Sequence, residues 1–218
     1  KVVVAHKGKR SFVCDVTGMA AHSSLAPRAV NAIEFAAEII SFIRRRAKSL
    51  ESDGPFEEGF DPAHSTVHTG IIQGGTQLNI VPEHCSFQFE IRYLPFEDHA
   101  GFVDDVHHFA ETELLPEMRA QYDASDITFR EMAGFPGLTT PDDAEVSQVC
   151  RHLAASNESA KVSFGTEAGL FSAGGIPTVV CGPGSIEQAH KPNEFVELDQ
   201  VAKCDAFMER LKERICRP

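Results

Sequence analysis

Residues 84–92 constrain the fold more than any other stretch of this chain. Cys85, Phe87, Phe89 and Ile91 alternate with His84, Ser86, Gln88, Glu90 and Arg92. Successive side chains of a strand point to opposite faces, so this segment has one apolar face to bury and one wet face. One wet face indicates an antiparallel sheet. The segment therefore needs strand partners with matching apolar faces and a layer of helices to cover them.

The sequence supplies both. Residues 11–17 set Phe12, Cys14 and Val16 against Ser11, Asp15 and Thr17, with Val13 breaking the polar side. Residues 66–72 alternate through Val67, Thr69 and Ile71, and residues 126–132 add Ile127 and Phe129. Between the first two strands, Ser24 and Pro27 mark an expected helix start. Val30, Ile33, Ala37, Ile40 and Ile43 then recur at three-to-four spacing over about six turns, ending near Lys48. The Gly-, Pro- and acid-rich residues 49–64 read as a loop. A second helix is expected from Glu97 and Asp98 through Phe102, Val103, Val106, Phe109 and Ala110, ending before Pro116 or a little beyond it. The order β-α-β-β-α-β is the split βαβ, or ferredoxin-like, arrangement: four antiparallel strands with two helices on one face. It spans about residues 8–138.

The texture then changes. Thr140-Pro141-Asp142-Asp143 reads as a helix cap and first turn, followed by the stripe Val146, Val149, Cys150 and Leu153. Val162-Ser163-Phe164 predicts a short strand, and a helix follows Gly165-Thr166. Thr178-Val179-Val180-Cys181 is apolar throughout, as in strands buried on both faces of a parallel sheet. Leu198, Val201, Cys204, Phe207, Met208 and Leu211 mark a last helix. Alternating strands and helices mean an α/β unit. Residues 139–218, with 1–7, hold too few strands for such a unit, so its N-terminal part is expected to be absent. The fold class is α+β. Lys1 rather than Met opens the chain and leads straight into Val2-Val3-Val4-Ala5, which points to a fragment or a processed chain; no secretory leader is expected.

Composition excludes several functions. The 20 basic and 32 acidic side chains give a net charge of −12, which repels nucleic acid and anionic lipid. No apolar run approaches the roughly 20 residues of a membrane span. The six cysteines have no CxxC spacing, and several fall on apolar faces. They are expected to be reduced core residues of a cytoplasmic protein.

Three segments hold candidate chemistry. His190 lies in the loop that follows the apolar strand, where open parallel sheets bind ligands. Its imidazole suits a metal ligand, and a plain surface histidine fits the same position. Gly165-Thr166-Glu167 stands at a strand-to-helix junction, where Thr166 is either a simple cap or part of an anion-binding turn. His22 precedes Ser23 and Ser24 between strand and helix. Neighbours in sequence rarely align as nucleophile and base, and no GxSxG elbow is present, so a serine hydrolase is not expected.

These segments carry a resemblance. Gly18–Ile33 (GMAAHSSLAPRAVNAI), Thr76–Pro82 (TQLNIVP), Gly165–Phe171 (GTEAGLF) and Gly182–Val196 (GPGSIEQAHKPNEFV) together resemble the M20 family of dinuclear metallo-aminoacylases and peptidases, on its acetylornithine deacetylase branch. The resemblance implies that residues 8–138 are the family's lid and dimerisation domain. Residues 1–7 and 139–218 would then be the C-terminal part of its α/β metallohydrolase catalytic domain. It implies that His190 is a metal ligand. His22 is implied to be the lid histidine that enters the partner's site and stabilises the oxyanion, and Asn79 a substrate contact at that dimer-related site. Arg92 would receive the substrate carboxylate, and Gly165, Thr166 and Glu167 would form the substrate-side loop. The family's HxD pair, bridging acid, further acid and general-base glutamate lie upstream of the matched region, and this sequence contains no HxD. Ala29 stands where the family usually has Gly.

The implied activity is metal-dependent amide hydrolysis with two zinc or cobalt ions in the intact enzyme. It acts on a small N-acyl amino acid, N2-acetylornithine in arginine biosynthesis, in a homodimer joined through the lid. Alternatives within the class are succinyl-diaminopimelate desuccinylation and carboxypeptidase-like cleavage. An alternative outside it is a non-catalytic dimerisation module, and the chain alone is expected to be inactive.

Overall fold

A computed structural model describes residues 1–97, 100–189 and 191–216. The strand read at residues 84–92 is β4 (His84–Tyr93), and its burial alternates residue by residue. It lies beside β2 (Gly8–Thr17), antiparallel, in register from Gly8 opposite Tyr93 to Thr17 opposite His84. β3 (Thr66–Gly74) flanks β4, and β5 (Asp126–Phe135) flanks β2, giving the order β3-β4-β2-β5 with every neighbour antiparallel. This is the ferredoxin-like order expected from the pattern. β3 is an open edge, mostly exposed.

The helices cover one face. α1 (Ala32–Asp53) and α2 (Ala100–Phe109) press on Phe12, Cys14, Val16, Phe87, Phe89 and Ile91. Phe42 of α1 stacks on Phe109 with ring centroids 4.4 Å apart, an aromatic contact worth about 0.5–1.5 kcal/mol beyond its burial.

Both helices differ from expectation at their ends. Ser23–Arg28 form a short 3-10 turn with Pro27 inside it, and α1 begins only after Asn31. The Asn31 carboxamide accepts from the Ile33 and Glu34 amides, a side-chain cap that Pro27 cannot supply. The fully buried stripe is Ala32, Ala36, Ile39 and Ile43; Ala37 is exposed and Ile40 half-buried. α1 also runs into the expected loop, as far as Asp53. The second helix continues through Pro116. α2 passes into a π-turn (Ala110–Leu114), in which the Leu115 amide donates to the Ala110 carbonyl, and then into α3 (Leu115–Gln121). Pro116 falls in the first turn of α3, where its missing N–H costs little. Asp98, expected in the first turn of this helix, lies outside the described residues.

A second, three-stranded sheet has the order β6-β1-β7, from β1 (Val2–His6), β6 (Leu138–Thr139) and β7 (Ser159–Val162). β7 is parallel to β1, and β6 antiparallel. β7 ends before Ser163, earlier than expected. Residues 178–181 form no strand: Val180 makes one antiparallel bridge to Val3, and its neighbours are half-buried or exposed. A single bridge on one side leaves that apolar stretch without the two flanking strands its composition suggests. α4 (Glu145–Leu153) starts after a turn at 141–144 rather than at Pro141. It packs with Val2 and Val4 through Cys150, beside Val179 and Phe207 of α6 (Leu198–Ile215). The apolar stripe of α6 is otherwise partly open, with Leu198 and Met208 exposed. A short helix, α5 (Ala168–Ala173), follows β7. All six cysteines are free thiols, although Cys181 and Cys216 are exposed rather than core residues. No helix among the described residues is long and apolar enough to cross a membrane.

Candidate active site

The loop that carries His22 is built on a close backbone approach. A Cβ on Gly18 would sit 2.1 Å from the Val30 carbonyl oxygen, so only glycine lets the chain leave β2 there. From that point residues 18–32 zip onto residues 79–83. The Gly18 amide donates to Glu83 O at 2.7 Å, Val81 N to Ala21 O at 2.8 Å, Ser23 N to Asn79 O at 3.0 Å, and Ala32 N to Pro82 O at 3.0 Å. His22 also bridges Ile80. This ladder sets His22 and Asn79 side by side and exposed on one rim of the four-stranded sheet. A cavity of about 560 Å³, lined in part by Ser23, Asn31, Thr76 and Leu78, adjoins them.

The imidazole of His22 is oriented locally. The Ser24 amide donates to Nδ1 at 3.2 Å, and Ser24 Oγ lies 2.8 Å from the same atom. A nitrogen that accepts a backbone N–H carries no proton, so the neutral ring is protonated at Nε2. His22 therefore presents Nε2–H as a donor on an exposed side chain. Sequence reasoning discounted a pairing of His22 with its neighbouring serines; the approach of Ser24 arises because His22 caps the 3-10 turn.

Arg92 lies at the other end of the sheet. β2 spans eight residue steps between Lys9, opposite Arg92, and Thr17, opposite His84. At ~3.4 Å per residue the two ends are roughly 27 Å apart. Arg92 Nε donates to Glu90 Oε1 at 2.9 Å, and Lys9 Nζ approaches Glu90 Oε2 at 3.0 Å. Burial pushes the Glu90 pKa up, but the hydrogen bonds from Arg92 and Lys9 outweigh it and hold the carboxyl below its usual value. The Arg92 guanidinium is thus anchored through Nε, and its Nη groups remain to meet a carboxylate.

The 165–167 loop belongs to the same end as Arg92. Phe135 pairs with Lys9 in the sheet, and a Cβ on Gly165 would stand 1.8 Å from the Phe135 ring. Glycine is needed for that contact. Thr166 Oγ1 accepts the Ala168 amide at 3.1 Å, the cap role raised for it above. Glu167 is exposed at the start of α5. Phe164 lines a cavity of about 740 Å³ together with Val162, Cys181, Pro183, Ala189 and Phe195, so the loops after Val162 and Cys181 open onto one space. The Gln188 side-chain oxygen is buried there without a hydrogen-bond partner among the described residues. Cys181 stands in the same cavity wall, and the buried Cys150 thiol behind it lowers the Cys181 pKa. Sequence reasoning treated these two residues only as apolar filler.

His190 follows Ala189 directly and lies outside the described residues. Among the described residues, no three His, Cys, Asp or Glu side chains converge as a metal-binding group. The donors described here do not by themselves fit a pair of metal ions. The structure brings His22 to Asn79 and brings Arg92 to the end that carries 165–167. It does not unite the two groups within one chain.

Comparison with known proteins adds a family context. The M20 peptidase dimerisation domain matches residues 4–118. The chain is 31% identical over 214 residues to an acetylornithine deacetylase of Myxococcus xanthus, covering 98% of this chain and 54% of that protein. It is 32% identical over 218 residues to an acetylornithine deacetylase of Proteus mirabilis, covering 97% of this chain and 53% of that protein. The chain therefore spans about half the length of these relatives. Among solved structures, the aminopeptidase PepT of Bacillus cereus superposes with a TM-score of 0.72 at 24% identity, over 95% of this chain and 52% of that one. A tripeptidase of Staphylococcus aureus superposes with a TM-score of 0.67 at 20% identity, over 95% of this chain and 51% of that one. At such identities the superpositions speak for the fold alone.

Proposed function

This chain belongs to the M20 peptidase family, and from that premise we propose that it is part of a metal-dependent amide hydrolase that removes the acetyl group of N2-acetylornithine in arginine biosynthesis. The relatives named acetylornithine deacetylase support that substrate, and the dimerisation domain at residues 4–118 supports a homodimer. Residues 8–138 act as the lid that dimerises, with the open edge of β3 available for contact, and residues 1–7 and 139–218 act as part of the catalytic domain.

The roles follow from chemistry at each end of the sheet. His22 donates from Nε2 to the oxygen that becomes negative as the amide carbon turns tetrahedral, and Asn79 beside it contacts the substrate. Such a donor stabilises the transition state more than the ground state, because charge develops only there. Arg92 takes the substrate carboxylate, and the 165–167 loop borders the same substrate. His190 is this chain's contribution to a zinc or cobalt site; the remaining donors would come from outside it. The observation that carries this reading is the paired presentation of His22 and Asn79 in the loops beyond the Thr17 end of β2, whereas the Lys9 end, opposite Arg92, is roughly 27 Å from Thr17. A second copy of the chain is the natural source of the missing half at each site.

The test is hydrolysis by the intact protein that contains this chain. N2-acetylornithine is expected to be cleaved with a higher kcat/KM than N-succinyl-diaminopimelate or unblocked dipeptides, and activity is expected to vanish on chelation and return with zinc or cobalt. A preference for the succinylated substrate or for dipeptides would replace the proposed substrate. Full activity of residues 1–218 alone would overturn the view that this stretch needs further donors.

A further inference from the structure

The junction between the two sheets is a single residue, Lys7, between β1 (Val2–His6) and β2 (Gly8–Thr17). Its side chain is fully buried, which is unusual for an ammonium group. Nζ donates to the carbonyl oxygens of Pro62 at 2.8 Å and His64 at 2.6 Å, and lies 5.9 Å from the centre of the Phe60 ring. Burial pushes the Lys7 pKa down, while Glu97 and Asp61 push it back up. An ammonium that trades water for two carbonyls, an aromatic face and two nearby carboxylates fixes the groups that surround it.

The segments so fixed lead to the Arg92 end of the site. The Leu94 amide, two residues beyond Arg92, donates to Ser65 Oγ at 2.9 Å, and Ser65 Oγ bonds Glu97. Phe60 and Leu94 pack together with Ala5 in a small core of their own. The same loop reaches β7 and its exit. Lys161 Nζ donates to Glu57 Oε1 at 2.6 Å, Ser163 Oγ donates to Asp61 O at 2.6 Å, and the Lys7 amide donates to Val162 O at 3.3 Å. Residues 57–65 thus strap the end of β4 to the start of the 163–167 loop, across the two sheets.

We propose that Lys7 is a positioning residue whose buried ammonium clamps the 57–65 strap, and that the clamp sets Arg92 against the 165–167 loop. This inference rests on the role proposed above for that end of the site. It differs from plain stabilisation in its consequence. Loosening the strap separates the carboxylate contact from the substrate loop, so binding suffers more than the chemical step.

The experiment uses the intact protein and two variants, Lys7→Met and Ser163→Ala, the second removing only the hydrogen bond to Asp61. Hydrogen exchange is expected to accelerate at residues 57–65 and 163–167 in both, with protection of Ala32–Asp53 unchanged. The KM for an N-acyl amino acid is expected to rise roughly tenfold in Lys7→Met with a much smaller change in kcat. Lys7→Arg, which retains charge and donors, is expected to recover part of the loss. Exchange that is unchanged at both segments, or that rises uniformly across the chain, overturns the proposal. So does a fall in kcat with KM unaltered. If Lys7→Met does not fold, Ser163→Ala decides by the same two criteria. Exchange is read without substrate, so a wild-type protein that hydrolyses no N-acyl amino acid defeats the proposed function and leaves the clamp to be judged on exchange alone.

Discussion

Mixing two defective proteins offers a sharp test of how the site is assembled. The perturbation is a pair of variants of the intact protein, His22→Ala and Arg92→Ala, purified separately. Neither should unfold the chain. His22 is exposed, and Glu90 keeps its contact with Lys9 when Arg92 is removed. Loss of one oxyanion donor lowers kcat by about 100- to 1,000-fold, so the His22→Ala parent is nearly silent, while Arg92→Ala loses the contact proposed for the substrate carboxylate. The loop that carries His22 leaves the Thr17 end of β2 and Arg92 faces its Lys9 end, so in the proposed two-fold dimer each site would take one from each chain. Random exchange of subunits makes about half of the dimers mixed, and each mixed dimer has one intact site and one with both defects. The mixture should therefore recover about one quarter of wild-type activity, which is roughly 25- to 250-fold above the His22→Ala parent. The assay is the initial rate of deacylation after equal amounts are incubated at a concentration that permits exchange. A mixture no more active than its parents, with subunit exchange verified, would mean that both residues serve the same chain's site.

Three further outcomes follow from the packing and the charges. Gly165→Ala drives a methyl group into the Phe135 ring and should cost about 1–3 kcal/mol in denaturant unfolding, with much of the loss recovered by adding Phe135→Ala. Phe87 is fully buried beneath the helices, so Phe87→Ala should lower unfolding free energy by about 3–5 kcal/mol. Glu90 has a folded pKa below its usual value of 4.5. Its contribution is therefore present above that pH and is lost as the pH falls through the lower folded value. Acid titration of stability should show a steeper decline for the wild type than for Glu90→Gln, and equal slopes would refute the assignment.

The fold was legible wherever burial is one-sided. The period-two pattern of β4 names its own buried face, and the matching patterns of residues 11–17 and 126–132 extend the sheet without further information. Helix starts were less legible, because Pro27 and Asn31 are both acceptable signals and only the cap bonds to Ile33 and Glu34 decide between them. The apolar run 178–181 misled because composition reports apolar character but not how many neighbours will pair with the backbone. For the candidate site, motif resemblance singled out His22, Asn79 and Arg92 but not their separation, since sequence order says nothing about opposite ends of one sheet. Lys7 went unnoticed because a lysine at a strand junction ordinarily points to water. The apolar run before it and the glycine after it were the available hints.

The π-turn between α2 and α3 has a consequence for how this helix tolerates changes in length. Val106, Ala110, Leu114 and Met118 are all buried at intervals of four. In an unbroken α-helix, twelve residues at 100° each would swing Met118 about 120° away from Val106. The wider turn absorbs that drift, as a single inserted residue would require. Deleting one residue between Ala110 and Leu114 would convert the spacing to four, three and four, which regular helical winding keeps on one side. The helix is thus poised between two lengths at this point, and a shortened variant should retain its core where the same deletion in α1 would turn Ile43 toward solvent.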